Sequence, residues 1–193
     1  MLTTYLAGFI EANPSGSKGW RDEVKEKLVS DKLLVYCPIA YESKKTGKAT
    51  GENVKYVTGL KQGGYWDKVK EEMSKIWWGN IRPEKNRYEV IKQLQYKALI
   101  EGNQLRDLDF WGDFEAVARS SFIIVYYKKG VESWGTPAEA LIAFFLNIPI
   151  YVISDVPKTE MNTSLLWWVL ETEGEVFYKL NECTTYIKEK YKL

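Results

Sequence analysis

Six consecutive residues, Gly135-Thr136-Pro137-Ala138-Glu139-Ala140, offer the clearest chemistry in this chain. They follow an apolar run and open a helical pattern, with Thr at the cap and Pro in the first turn. A carboxylate there feels the positive end of the helix, which favours its ionised form, and an ionised, held carboxylate is a good glycosyl nucleophile. Thr136 and Glu139 also have the spacing of a capping box, in which the glutamate only bonds back to the cap amide, and the local sequence leaves both roles open. A second acid, Asp113, opens the helical pattern before the preceding apolar run. It reads either as a helix cap or as the partner carboxyl that retaining glycosyl transfer requires.

Other chemistries are narrowed by what the 193 residues lack. There is no histidine, which removes Ser-His-Asp and Cys-His relays and the common histidine metal sites. Carboxylates, tyrosines and backbone groups are left to act, and neither a metal nor a cofactor is called for. Cys37 and Cys183 match no metal pair or CxxC spacing and read as core thiols of a reducing cytoplasm. Twenty-seven basic residues balance twenty-six acidic ones without a basic block, so long nucleic acid is not an expected partner. The apolar start carries no preceding positive charge. The longest apolar stretch, residues 140–153, is interrupted by Asn147 and Pro149 and is too short to cross a bilayer. A soluble cytoplasmic protein is expected.

The elements that must position these residues alternate. Residues 2–7, 33–39, 121–127, 148–153 and 175–178 read as strands, the third of them (SFIIVYY) rich in β-branched and aromatic residues. Residues 19–30, 113–120, 137–146 and 181–191 read as helices. The expected fold is therefore α/β, a three-layer Rossmann-like or flavodoxin-like domain with about five parallel strands and helices on both faces. Residues 43–106 break the alternation and read as a helical insertion between strands two and three, with Trp66, Trp77, Trp78 and Tyr96 suited to packing on the domain, closing over a site or meeting another subunit. In such sheets ligands sit beyond the carboxyl ends of the strands, at the topological switch point. That places Gly8, the 126–136 segment and the residues after each strand near a ligand.

The blocks Tyr5-Leu6-Ala7-Gly8, Asp113 eight residues before Ser121, SFIIVYY and GTPAEALIAFFLNIPIYVI together resemble the nucleoside 2-deoxyribosyltransferase family and its nucleotide N-glycoside hydrolase relatives. The resemblance spans residues 2–40 and 107–155 and does not reach the insertion. It implies that Glu139 is the nucleophile, that Tyr5 hydrogen-bonds and orients it, and that Asp113 handles the leaving base. One departure is Ser121, where the family often has an aspartate; another is the loop before Gly135-Thr136, where Ser133 or Glu132 stands in for an acidic residue. The implied reaction is double displacement through a glutamyl-enzyme, with a 2-deoxyribosyl group passing from one nucleobase to another.

Two features bear on the substrate. Ser15, Gly16 and Ser17 form a small-residue turn that, with Arg21, could hold a 5′-phosphate, as the glycine- and serine-rich loop of the hydrolase relatives does; the same residues also make an ordinary turn. Trp20, Trp111 and Trp134 flank the site elements, and Trp134, then Trp20, is the favoured platform for a base. The alternatives are a nucleoside 5′-monophosphate N-glycoside hydrolase, a non-catalytic nucleotide sensor on the same scaffold, and an interaction protein built on the tryptophan-rich insertion. The resemblance also implies a homo-oligomer whose sites are completed by a neighbour, without naming the residues; 162–168 are a candidate donor region by their place after strand four.

Overall fold

A computed structural model describes residues 1–9, 16–83, 85–131, 133 and 135–193, with the backbone alone of 16–18, 105 and 106. Five parallel strands form one sheet in the order β2-β1-β3-β4-β5: β1 (Leu2–Gly8), β2 (Leu33–Tyr36), β3 (Phe122–Tyr127), β4 (Ile150–Ser154) and β5 (Glu175–Phe177). The fold is the expected three-layer α/β arrangement of Rossmann-like or flavodoxin-like type. The strand order reverses direction between β1 and β3, which pair from Thr4↔Phe122 to Gly8↔Tyr126, so the switch point lies at their carboxyl ends.

Strand alternation sorts the core onto two faces. Leu6, Leu33, Phe122, Ile124, Tyr151 and Ile153 pack against α1 (Gly16–Lys27) and α9 (Leu180–Tyr191), through Trp20, Val24, Leu28, Cys183 and Ile187. Tyr5, Ala7, Tyr36, Ile123, Val125 and Val152 face the other way. There they meet α6 (Asp113–Ala118), α7 (Gly135–Phe145) and α8 (Thr163–Glu171). The strands are apolar on both faces, as a covered parallel sheet demands.

Between β2 and β3 the chain forms α2 (Pro38–Thr46), α3 (Thr50–Gln62), α4 (Trp66–Trp78) and α5 (Arg87–Glu101). The expected strand over 33–39 ends at Tyr36 because Pro38 starts α2, with Cys37 in extended conformation as its cap. Helix α8 was not anticipated either; its run Leu165-Leu166-Trp167-Trp168-Val169-Leu170 has no polar stripe to mark a helical period. Two glycines tie the inserted helices to the segment that leads into α6. Gly79, at φ +56°, follows α4 and pairs as an antiparallel bridge with Trp111, and a Cβ on Gly79 or Gly112 would overlap the other segment's backbone. Trp77 and Trp78 then close on Phe114 with ring centroids 4.7 and 4.6 Å apart, whereas Trp66 and Tyr96 are exposed. Among the described residues no helix is long and apolar enough to cross a membrane.

Candidate active site

Tyr5 points from β1 to the α7 face by the alternation of the strand, and the start of α7 stands at the switch point beside it. The Tyr5 hydroxyl donates to Glu139 Oε1 at 2.6 Å. Its ring lies on Tyr36 at 5.6 Å, and Tyr36 is fastened by donating to the Trp111 carbonyl at 2.9 Å. Burial and the neighbouring Asp113 and Glu139 charges push the Tyr5 phenol well above its ordinary range, so it stays a donor. Glu139 Oε2 is buried and meets no partner among the described residues.

The capping-box reading of Thr136 and Glu139 does not hold. Helix α7 already includes Gly135, Ser133 Oγ accepts the Thr136 amide at 3.4 Å, and Glu139 turns to Tyr5 instead. The expectation of an ionised Glu139 is also revised. Burial first, then the charge of Asp113, raises its pKa from 4.5 to about 8, against the lowering effects of the Tyr5 hydrogen bond, Arg21 and Lys45. Burial outweighs the helix end here. With Oε1 taken by Tyr5, the proton of the neutral acid belongs on Oε2.

Asp113 is the first residue of α6, after Gly112 in the cap position, and its carboxylate serves an ion pair. Lys45 Nζ lies 3.0 Å from Asp113 Oδ1, with both side chains almost fully buried, and also donates to the Tyr36 hydroxyl and the Ile76 carbonyl, each at 3.3 Å. Glu139, Asp113 and Lys45 line one cavity of about 530 Å³, together with Gly8, Ser133, Gly135 and Thr136. The insertion supplies the opposite walls, through Val54 and Val57 of α3 and Met73, Ile76 and Trp77 of α4. The inserted helices therefore close over the strand ends.

Comparisons with family models, curated proteins and solved structures return no match. The site therefore rests on its own geometry.

Six of the residues singled out in the sequence, Gly8, Asp113, Ser133, Gly135, Thr136 and Glu139, line the cavity, and Tyr5 lies directly beneath it. Trp20 and Arg21 do not line it. Trp20 is in the core on the α1 face, stacked on Tyr126 at 5.1 Å. Arg21, 0% exposed, bonds the carbonyls of Gly8 at 2.9 Å and Leu6 at 3.4 Å and lies over Trp20, so it secures the end of β1. Gly8 has to be glycine because a Cβ would come within 2.8 Å of the Trp20 ring. Ser15, Glu132 and Trp134 lie outside the described residues, as does the side chain of Ser17, and of Gly16 only its place in α1 is described. Trp111 is core, and Ser121 sits at the amino end of the sheet, where it accepts from the Thr3 amide at 3.2 Å.

Sequence reasoning missed Lys45 and Asn53; Glu42 lies in the stretch after strand two expected near a ligand, and Trp77 is one of the insertion aromatics suited to closing over a site. Lys44-Lys45 reads as an ordinary basic helix end, and no periodicity marks which insertion residues face inward. A Cβ on Gly135 would lie 3.8 Å from the Trp77 ring, which makes Trp77 the aromatic wall beside the proposed nucleophile.

Proposed function

We propose that this chain cleaves the N-glycosidic bond of a deoxyribonucleoside and transfers the 2-deoxyribosyl group to another nucleobase, in the manner of the family its sequence resembles. The observation that carries the reading is the pairing of a tyrosine-held glutamate with an unpartnered second oxygen, in the same cavity as an Asp-Lys pair. Glu139 Oε2, once deprotonated, attacks C1′ as the C1′–N bond breaks. Asp113, a carboxylate paired with Lys45 at rest, takes up the proton that Glu139 releases and passes it to the departing base nitrogen, and Lys45, 3.0 Å behind it, faces the charge left on the carboxylate. A second base then attacks C1′ from the vacated side, gives its N–H proton to the Asp113 carboxylate and frees Glu139, so configuration is retained. Trp77 and the aliphatic residues of α3 and α4 exclude water from the glycosyl-enzyme.

The burial of Arg21 favours a nucleoside over a nucleoside 5′-monophosphate, since the cation proposed for the phosphate is bonded to strand carbonyls. The buried, unpaired thiols of Cys37 and Cys183 suit a cytoplasmic location. Exposed Phe145, Trp167 and Leu170 on α7 and α8 suit a homo-oligomer, which sedimentation of wild type and Trp167→Glu tests.

The deciding experiment incubates the protein with deoxynucleosides, with and without a free acceptor base, and separates the products by chromatography. Exchanged nucleoside from wild type and none from Glu139→Ala is the expected result. Free base formed without acceptor moves the activity to hydrolysis. If wild type and Glu139→Ala leave every substrate intact, the catalytic reading is refuted and a nucleotide sensor takes its place.

A further inference from the structure

A second group of buried polar atoms lines the same cavity, and the bond-breaking chemistry does not use it. Asn53, 2% exposed on α3, donates from Nδ2 to Glu42 Oε1 of α2 at 2.9 Å. A carboxylate can only accept this bond, so the amide orientation is set, with its nitrogen towards Glu42 and its oxygen turned away. That oxygen, Oδ1, is buried and has no donor among the described residues. Glu42 and Asn53 both line the cavity, while Lys61 at its rim is exposed and bonded to neither. A buried amide oxygen without a partner is destabilising, and a ligand N–H placed against it removes the penalty.

Resting on the cleavage reading above, we propose that Glu42 and Asn53 form the base-recognition end of the cavity and select a nucleobase that carries an exocyclic amino group. One N–H of such a group supplies the donor that Asn53 Oδ1 lacks, and the second faces the Glu42 carboxylate on the same cavity wall. An oxo group in the same place sets an acceptor against acceptors, and the repulsion leaves Asn53 Oδ1 without a partner. The aliphatic side chains of Val54 and Val57 and the indole of Trp77 suit the faces of the ring and carry no preference between amino and oxo forms. Discrimination therefore falls to Glu42 and Asn53.

The test uses two pairs of deoxynucleosides that differ at this group, deoxyadenosine with deoxyinosine and deoxycytidine with deoxyuridine. Each is titrated calorimetrically into the Glu139→Gln variant, and base release from each is followed with wild type. In at least one pair the amino member binds at least about tenfold tighter, and Asn53→Leu closes that gap. The wild-type comparison reads the preference even if Asn53→Leu fails to fold. Equal affinity, or a preference for the oxo member, in both pairs overturns amino selection, and Glu139-dependent base release in that case leaves the cleavage reading standing. Neither binding nor release of any of the four overturns both.

Discussion

Replacing Glu139 by glutamine tests the electrostatics of the site without requiring a substrate. In the folded protein the Glu139 carboxyl holds its proton up to about pH 8, whereas in the unfolded chain it releases it near the ordinary 4.5. Between those values the folded state binds more protons than the unfolded state, so stability falls as pH rises from about 4.5 to about 8 and levels off above. A displacement of that size corresponds to about 5 kcal/mol in total, a large share of the stability of a domain this small. Glutamine keeps the volume and still accepts from the Tyr5 hydroxyl, but it cannot ionise. Urea unfolding from pH 5 to pH 9 should show Glu139→Gln close to wild type at pH 5 and several kcal/mol more stable than wild type at pH 9. Because other titrating groups are common to both proteins, the difference isolates Glu139. Curves that stay parallel across the range refute the raised pKa, and with it the protonated resting state of Glu139.

Further outcomes follow from neighbouring contacts. Tyr5→Phe removes a hydrogen bond that lowers the Glu139 pKa, so the rising limb of the pH–rate profile moves to more alkaline pH and kcat falls by about ten- to a hundredfold, read by steady-state kinetics. Lys45→Met leaves Asp113 buried without its cation and lowers stability by about 3 to 5 kcal/mol in denaturant unfolding, and adding Asp113→Asn recovers most of the loss. Gly112→Ala places a Cβ into the backbone between Trp77 and Gly79 and lowers stability by more than about 1 kcal/mol, seen as a lower melting temperature.

The sheet was legible because a parallel strand covered on both faces must be apolar on both, and SFIIVYY and IPIYVI declare that without help. Glu139 was legible by position, since Gly-Thr-Pro after a strand marks a helix start at the carboxyl edge. Its protonation was not, because local sequence reports the helix end but not the depth of burial or the proximity of Asp113. Arg21 shows the same limit. A cation beside a small-residue turn suggests a phosphate, and only the path of β1 reveals that its guanidinium is bonded to strand carbonyls. Lys45 and Asn53 were illegible for another reason: they reach the site through packing of α2 and α3 against distant elements, and no spacing records that.

The glycine contact between the end of α4 and the segment before Asp113 also bears on how a ligand gets in and out. Backbone lies directly on backbone at Gly79 and Gly112, so α4 cannot tilt away without dragging the residue that precedes Asp113. That side of the chamber is a fixed wall, and the orientation of Asp113 and the Trp77 ring is preset before anything enters. Among the described residues helix α3 has no such backbone fastening; it rests on α2 and α4 and leaves much of its outer surface to solvent. At the cavity wall its polar tie to α2 is the Asn53–Glu42 hydrogen bond, so that one contact sets where α3 stands over the chamber.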